Sequence, residues 1–356
     1  MTSSNSYNTA SQHIEQNKPF VVLRYPGEQT VSLLLLNANH RPNLEDELDE
    51  GTSYFAVSGF FDKSAYFFEI ISKLSLTHEE LNEIGSSFNL LEINHYPAPT
   101  HKNDYLQHVD LALKEIEAQS FNKVVLSKLA TEIISEDKNS TIFDQFERLT
   151  NQSNQFCYAF HHTNLGTWMG ASPETFLKIR NNRLHTEALA GTRMANSTDP
   201  WGEKEIHEQA IVKEYILNKL NTLGFQSVVE LATFNKQLGT IEHLCTPIEA
   251  DFTENMVLDE VLQTFHPTPA LGGFPKNSAI NFIRKTEEFD RELYGGFIGV
   301  VSSQASELYV NIRCMKRYRG LALLFAGAGI NVGSLPELEW DETEEKLGTM
   351  RQVIYG

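Results

Sequence analysis

Four short segments of this chain carry side chains with the chemistry of an acid–base active site. Lys123 heads the apolar run Lys123-Val124-Val125-Leu126-Ser127-Lys128, and Glu174 closes the turn Gly170-Ala171-Ser172-Pro173-Glu174. Glu205 and Glu208 stand three apart in Lys204-Glu205-Ile206-His207-Glu208, and Glu339 and Glu342 repeat that spacing in Glu339-Trp340-Asp341-Glu342-Thr343. One amine able to act as a base, one carboxyl able to act as an acid and two carboxylate pairs make a candidate magnesium-assisted site.

Each segment also has a plain structural alternative. A lysine works as a base only if burial or positive neighbours pull its pKa from about 10.4 toward about 7–8; a strand-end lysine can instead snorkel to water. Pro173 fixes the turn that places Glu174 beside apolar residues. A carboxyl desolvated there has a raised pKa and suits a general acid; in solvent it is a turn glutamate. Carboxylates at i, i+3 share a helix face. Magnesium takes oxygen ligands at about 2.0–2.1 Å, usually one or two carboxylates plus water and substrate oxygens, so two such helices could hold it between them. The same spacing fits solvated faces laced with ion pairs, for which Lys204 and Lys213 supply partners. The amides and hydroxyl of Ala190-Gly191-Thr192-Arg193 could bind a carboxylate, or form only a turn.

The elements that must position these groups are legible from periodicity. Strand-like runs cover Phe20–Leu23, Leu33–Leu36, Phe55–Phe61, 123–134, a meander of Cys157–Phe160, Thr167–Gly170 and Thr175–Ile179, then Phe297–Ser302, Glu307–Met315 and Leu321–Ile330. Helical spacing covers 101–119, 142–149, 203–223, 256–264, 276–286 and 336–353. Runs of strands with scattered helices predict an α+β fold with antiparallel sheets over a doubly wound one. No glycine fingerprint follows a strand and opens a helix, so dinucleotide binding is not expected. Length alone predicts about two domains, and the polar stretch 1–18 is expected to be flexible.

Composition narrows the function. Acidic residues number 47 and basic ones 29, for a formal charge of −18, which argues against nucleic acid or an anionic membrane as partner. An anionic substrate then needs local positive charge, from a divalent cation and one or two buried basic residues. No apolar run approaches the ~20 residues that span a bilayer. The start lacks the order of a signal peptide, and three scattered cysteines read as reduced thiols, so a cytoplasmic protein is expected.

Together the segments resemble the chorismate-utilising enzymes: isochorismate synthase, salicylate synthase and the large subunits of anthranilate and aminodeoxychorismate synthases. The matching stretches are KVVLSK (123–128), GASPETFL (170–177), LAGTR (189–193), KEIHEQAIV (204–212), HPTPALGGFP (266–275), EEFDRELYGGFIG (287–299), YVNIRC (309–314) and FAGAGINVGSLPELEWDETEEKL (325–347). They lie in the family's order and spacing within 102–354. Lys123, where aminating relatives tend to have glutamine, and Ala270 before Leu271, where salicylate and anthranilate synthases tend to have threonine, favour the isochorismate synthase subgroup.

The resemblance implies one domain over 19–356, two packed, mostly antiparallel sheets flanked by helices, which replaces the two-domain expectation. It implies magnesium-dependent conversion of chorismate to isochorismate, feeding menaquinone or siderophore synthesis, with no obligatory amidotransferase. Lys123 resembles the base that activates water for attack on carbon 2, and Glu174 the acid that protonates the hydroxyl leaving carbon 4. Glu208 and Glu342 match direct magnesium ligands, and Glu205 and Glu339 supporting carboxylates. Arg313 matches the grip on the pyruvyl carboxylate. Tyr294 matches a hydroxyl donor, Gly191, Thr192 and Gly327 match backbone contacts, and Lys346 matches a lysine near the metal; Ala270 and Leu271 line the substrate. His266 lies in a family stretch without an assigned role. Two departures stand out: Gln209 where many relatives have histidine, and Ile206 where arginine is frequent. Salicylate synthase, which also expels pyruvate, and a non-catalytic chorismate-binding protein are the alternatives.

Overall fold

The computed structural model describes residues 2–41, 51–134, 141–195, 197–238, 241–253 and 256–356. Helix α1 (Thr2–Glu15) precedes strands β1 (Phe20–Arg24), β2 (Val31–Arg41), β3 (Ser53–Ser58) and β4 (Tyr66–Leu76) and helices α2 (His78–Ile84) and α3 (Lys102–Glu117). Next come β5 (Lys123–Ile133), α4 (Ile142–Gln152), β6 (Phe156–His162), β7 (Gly166–Ser172), β8 (Thr175–Arg180) and β9 (Arg183–Met194). Helix α5 (Glu203–Thr222) leads to β10 (Gln226–Glu230), β11 (Phe234–Leu238), β12 (Ile241–Asp251), α6 (Leu258–Phe265), β13 (Gly273–Phe274) and α7 (Lys276–Thr286). Strands β14 (Phe297–Ser302), β15 (Ala305–Val310), β16 (Cys314–Tyr318) and β17 (Leu321–Ile330) precede the last helix, α8 (Pro336–Tyr355).

Every strand pairing among the described residues is antiparallel. Half of the sheet runs β13-β5-β17-β16-β7-β6-β1-β2. The other half runs β4-β3-β14-β15-β8-β9-β12, with β10 and β11 sharing the outer edge of β12. The expected two sheets are therefore one hydrogen-bonded ribbon folded where β2 pairs with β4. An apolar core from β1, β2, β6, β7, β16 and β17 on one half and β3, β4, β14 and β15 on the other fills the fold. A second core lies under α3, α5, α6 and α7, and a third under α1, α2, α4 and α8. Strands covered on both faces read as continuous apolar runs; every residue of β6 and β7 is buried.

Three expectations are corrected. Residues 2–15 of the stretch expected to be flexible form α1. A narrow stripe, Ala10 and Ile14, joins the third core, and Tyr7 donates to Glu80 of α2 at 2.7 Å; composition reports the polar majority of such a helix, not its stripe. The expected meander is broken between β7 and β8, which pair with β16 and β15 instead of each other. The expected strand Glu307–Met315 is likewise two strands in different halves, interrupted at 311–313, where Arg313 takes φ +48°. Both crossings join the two halves and are stitched together: Val310 N–H donates to the Glu174 carbonyl at 3.0 Å, and Ala171 N–H to the Arg313 carbonyl at 3.1 Å. The sheet thus brings Glu174 and Arg313 to one place.

Candidate active site

A cavity of about 160 Å³ opens where β5 and β17 of one half face β9 and β12 of the other, beside the crossings at 173–174 and 312–313, with α5 and α8 as its rim. It brings together Lys123, Glu174, Gly191, Thr192, Glu205, Glu208, Ala270, Leu271, Tyr294, Arg313, Gly327, Glu339, Glu342 and Lys346. Fourteen of the fifteen sequence candidates therefore converge.

Lys123, the first residue of β5, is only 4% exposed. Its Nζ lies 3.6 Å from Glu208 Oε1. Gly329 of β17 leaves room for both: a methyl there would stand 3.0 Å from Lys123 Cε, 3.3 Å from Nζ and 3.5 Å from Glu208 Oε1. Glu174 sits in the crossing after Pro173, its backbone N–H donating to Ser172 Oγ at 3.3 Å. Burial pushes its carboxyl up to about 7. Lys236 pulls the other way, Glu187 reinforces the rise, and Lys123 and Lys346 oppose it more weakly. Lys236 and Glu187 are themselves paired at 2.6 Å. A carboxyl poised near neutrality is what a general acid requires.

The carboxylates come from two helices. Gly191, at φ +74°, brings β9 against the first turn of α5; a methyl there would stand 2.9 Å from the Glu205 carbonyl. Glu205 Oε2 folds back toward Gly202 at the start of its own helix. Glu208 Oε1 accepts from Asn331 Nδ2 at 2.6 Å. On α8, Glu342 accepts from Lys346 at 2.6 Å, and Lys346 also donates to the Gly327 carbonyl at 2.8 Å. Burial raises Glu342, but Lys346 outweighs it and holds the carboxyl below its usual range. Glu339 is raised, first by burial and then by the charges of Glu342 and Glu208, against a Ser334 hydrogen bond and Lys204, whose Nζ is 3.6 Å away. Four carboxylates lining one pocket form an oxygen-only donor set, which suits a hard divalent cation. Among the described residues no three carboxylate, imidazole or thiolate groups stand close enough to hold an ion by themselves. The arrangement fits an ion bound by one or two carboxylates, with water and substrate oxygens completing its shell.

Arg313 and Tyr294 also line the cavity. The Arg313 side chain is half-buried, and desolvation lowers its pKa; it donates to Thr349 Oγ1 at 3.3 Å. Tyr294 is buried and stacks on Phe325 with centroids 5.6 Å apart. Burial raises the Tyr294 hydroxyl, keeping it a donor.

His266 is the one candidate left outside. It is buried in a separate cavity with Phe60 and Lys276, its Nε2 3.0 Å from the Gly59 carbonyl, and burial pulls its pKa down to about 4. Gln209 is also not at the site: its Nε2 donates to Thr246 Oγ1 at 2.6 Å, pinning α5 to β12. Sequence reasoning missed His243 of β12, whose Nδ1 lies 3.0 Å from the Gly191 carbonyl and 3.1 Å from Thr192 Oγ1. Burial lowers its pKa to about 4, so it holds that turn as a neutral ring. It also missed Lys236 and Glu187; the strand pattern held no signal that they flank Glu174.

A family model described as chorismate binding enzyme matches residues 42–355. Isochorismate synthase EntC of Escherichia coli is 36% identical over 289 residues, 76% of this chain and 71% of that protein. Isochorismate synthase MenF of the same organism is 32% identical over 267 residues, 71% of this chain and 60% of that protein. Among solved structures, the menaquinone-specific isochorismate synthase MenF of Escherichia coli superposes with a TM-score of 0.79 at 23% identity, covering 97% of this chain and 91% of that one. Anthranilate synthase component I of Streptococcus pneumoniae gives 0.69 at 19% identity, covering 93% and 89%; at such identities the likeness concerns the fold. The chain belongs to the chorismate-binding enzyme family.

Proposed function

We propose that this protein is an isochorismate synthase that works in the cytoplasm with magnesium. The observation that carries this reading is the placement of Lys123, at the start of β5, and Glu174, in the crossing between the halves, in one cavity whose rim is lined with carboxylates. Chorismate is a dianion with a ring carboxylate and a pyruvyl carboxylate. Arg313, a half-buried guanidinium, receives the pyruvyl carboxylate in a forked hydrogen bond. Glu208 and Glu342 would hold the magnesium, supported by Glu205 and Glu339, and that ion would supply positive charge for the ring carboxylate. Gly191, Thr192 and Gly327 frame the ring, with Ala270 and Leu271 as its apolar wall and Lys346 beside the carboxylates.

Lys123, as the free amine, takes a proton from water as that water attacks carbon 2. Glu174, protonated, gives its proton to the hydroxyl leaving carbon 4. The double bonds shift between these two carbons, one water enters and one leaves, and the product is an isomer of the substrate. Base and acid must hold opposite protonation states at once, and burial of Glu174 in the crossing between β7 and β8 supplies its half of that requirement. A glutamine at 123 could not activate water, which is why ammonia-using chemistry, and an amidotransferase partner with it, is not expected here.

The test is chromatographic: purified full-length protein, chorismate and magnesium. Isochorismate accumulating without pyruvate supports the assignment. Release of pyruvate and salicylate would move it to salicylate synthase, and absence of turnover, or full activity in Lys123→Gln, would refute it. The fate of the product, in menaquinone or siderophore synthesis, is decided by the enzyme that next consumes it.

A further inference from the structure

We propose that Lys128 positions the carboxylates of α8 by stacking its ammonium on Trp340, and so sets the affinity of the site for its divalent ion. This rests on the ion site proposed above. The scheme there makes no use of Lys128, yet the residue is 1% exposed, a costly place for a charge without a purpose. Its Nζ lies 3.3 Å from the centroid of the Trp340 ring and pairs with Glu344. Trp340 meets the buried Tyr105 of α3 edge-on, with centroids 5.6 Å apart. Glu344 also accepts from Arg351 at 2.7 Å, and Arg351 returns to Glu132 of β5 at 2.7 Å.

Helix α8 therefore carries two stripes. Residues 340, 344 and 351 fasten it to β5, whereas 339, 342 and 346 belong to the cavity. At 3.6 residues per turn the two stripes lie about 140° apart around the axis. Fastening the first fixes the direction of the second. The first turn of α8 has no side-chain cap at Leu335, so local capping does not hold it. Trp340 stands between Glu339 and Glu342, and the cation–π contact acts on the turn that bears them. A desolvated contact of this kind is stronger than an exposed one. One strand thus carries the proposed base at its start and the fastening of the acidic helix five residues on.

The experiment measures Mn²⁺ binding to full-length protein by electron paramagnetic resonance, beside thermal unfolding. The wild type is expected to bind Mn²⁺. Lys128→Met should bind it about tenfold more weakly, the loss typical when a partner behind a metal ligand is removed. Glu344 keeps Arg351, so the fold should survive. Lys128→Arg, whose guanidinium can stack on the same ring, should restore binding. Trp340→Leu should weaken binding as Lys128→Met does, and keeps the test valid if Lys128→Met fails to fold. The double variant should add little to either. Mn²⁺ affinity unchanged in Lys128→Met or Trp340→Leu, or no rescue by arginine, overturns the proposal. No Mn²⁺ binding by the wild type overturns the ion site itself, and this proposal with it.

Discussion

Glu174→Gln should abolish turnover and yet gain stability relative to the wild type as the pH rises. In the folded chain burial holds the Glu174 carboxyl at about 7, against an ordinary 4.5. Between these values the unfolded chain releases a proton that the folded chain keeps. Stability due to this residue therefore falls as pH rises from about 4.5 to about 7, and is flat outside that window. The separation of about 2.5 pH units, at 1.36 kcal/mol each, is a penalty of about 3.4 kcal/mol fully present at high pH. The same linkage gives about 1.4 kcal/mol at pH 5.5, so about 2 kcal/mol develops between pH 5.5 and 8.5. Glutamine has no such penalty. Its own cost of burial does not depend on pH and cancels when two pH values are compared.

The assay is urea unfolding of wild type and Glu174→Gln at pH 5.5, 7 and 8.5. The free-energy difference should move in favour of the variant by about 2 kcal/mol across that range. A difference independent of pH would mean that Glu174 is ordinarily acidic in the folded protein. That result would remove the proposed acid, because an ionised carboxylate has no proton to give at neutral pH. Inactivity of the variant alone would not decide the matter, since loss of any substrate contact also lowers turnover.

The neighbours of Glu174 predict opposite shifts of the pH profile. Lys236→Met removes a charge that lowers the carboxyl, so the limb on which activity falls with rising pH should move up; Glu187→Gln should move it down. Gly329→Ala would put a methyl 3.0 Å from Lys123 Cε, and displacing the amine should cut kcat by ten- to a hundredfold, with the melting temperature little changed. Gln209→Ala leaves Thr246 without its 2.6 Å donor, which should cost about 1–3 kcal/mol in urea unfolding and change KM little.

The parts legible in the sequence were those in which the side-chain period and the motif agree. Lys123 at a strand start, Glu174 behind a proline, and the paired glutamates of α5 and α8 are all local features, and the structure keeps each where the pattern put it. Pairing partners were not legible. Strands β7 and β8 are separated by only Pro173 and Glu174 yet belong to different halves, and Arg313 interrupts what reads as one β run. Neither break changes the local hydrophobic period, because the strand residues next to each break are buried. His243, Lys236 and Glu187 reach the acid and the substrate turn only through the β9, β11 and β12 pairings, which no spacing along the chain encodes. His266 shows the converse, a residue inside a matching motif whose side chain the fold spends on packing.

The charges lining the cavity bear on how a protein of formal charge −18 admits a dianion. Lys123, Lys204, Arg313 and Lys346 face Glu174, Glu205, Glu208, Glu339 and Glu342. His243 is neutral, and burial keeps much of Glu174 protonated near pH 7. With Lys123 as the free amine, three cations then meet four carboxylates, and the cavity has no net attraction for an anion to set against the field of the whole molecule. A divalent ion shifts that balance by two positive charges, matching the two carboxylates of chorismate. Chorismate binding should therefore depend on magnesium even where no chemistry follows. Titration calorimetry with the inactive Glu174→Gln variant tests this: affinity should fall at least tenfold when EDTA replaces magnesium. Adding Glu342→Gln, which removes one negative charge, should recover part of the metal-free affinity while losing the response to magnesium. Equal chorismate affinity with and without the ion would show that Arg313 and the lysines suffice, and would leave the carboxylate rim without its proposed role.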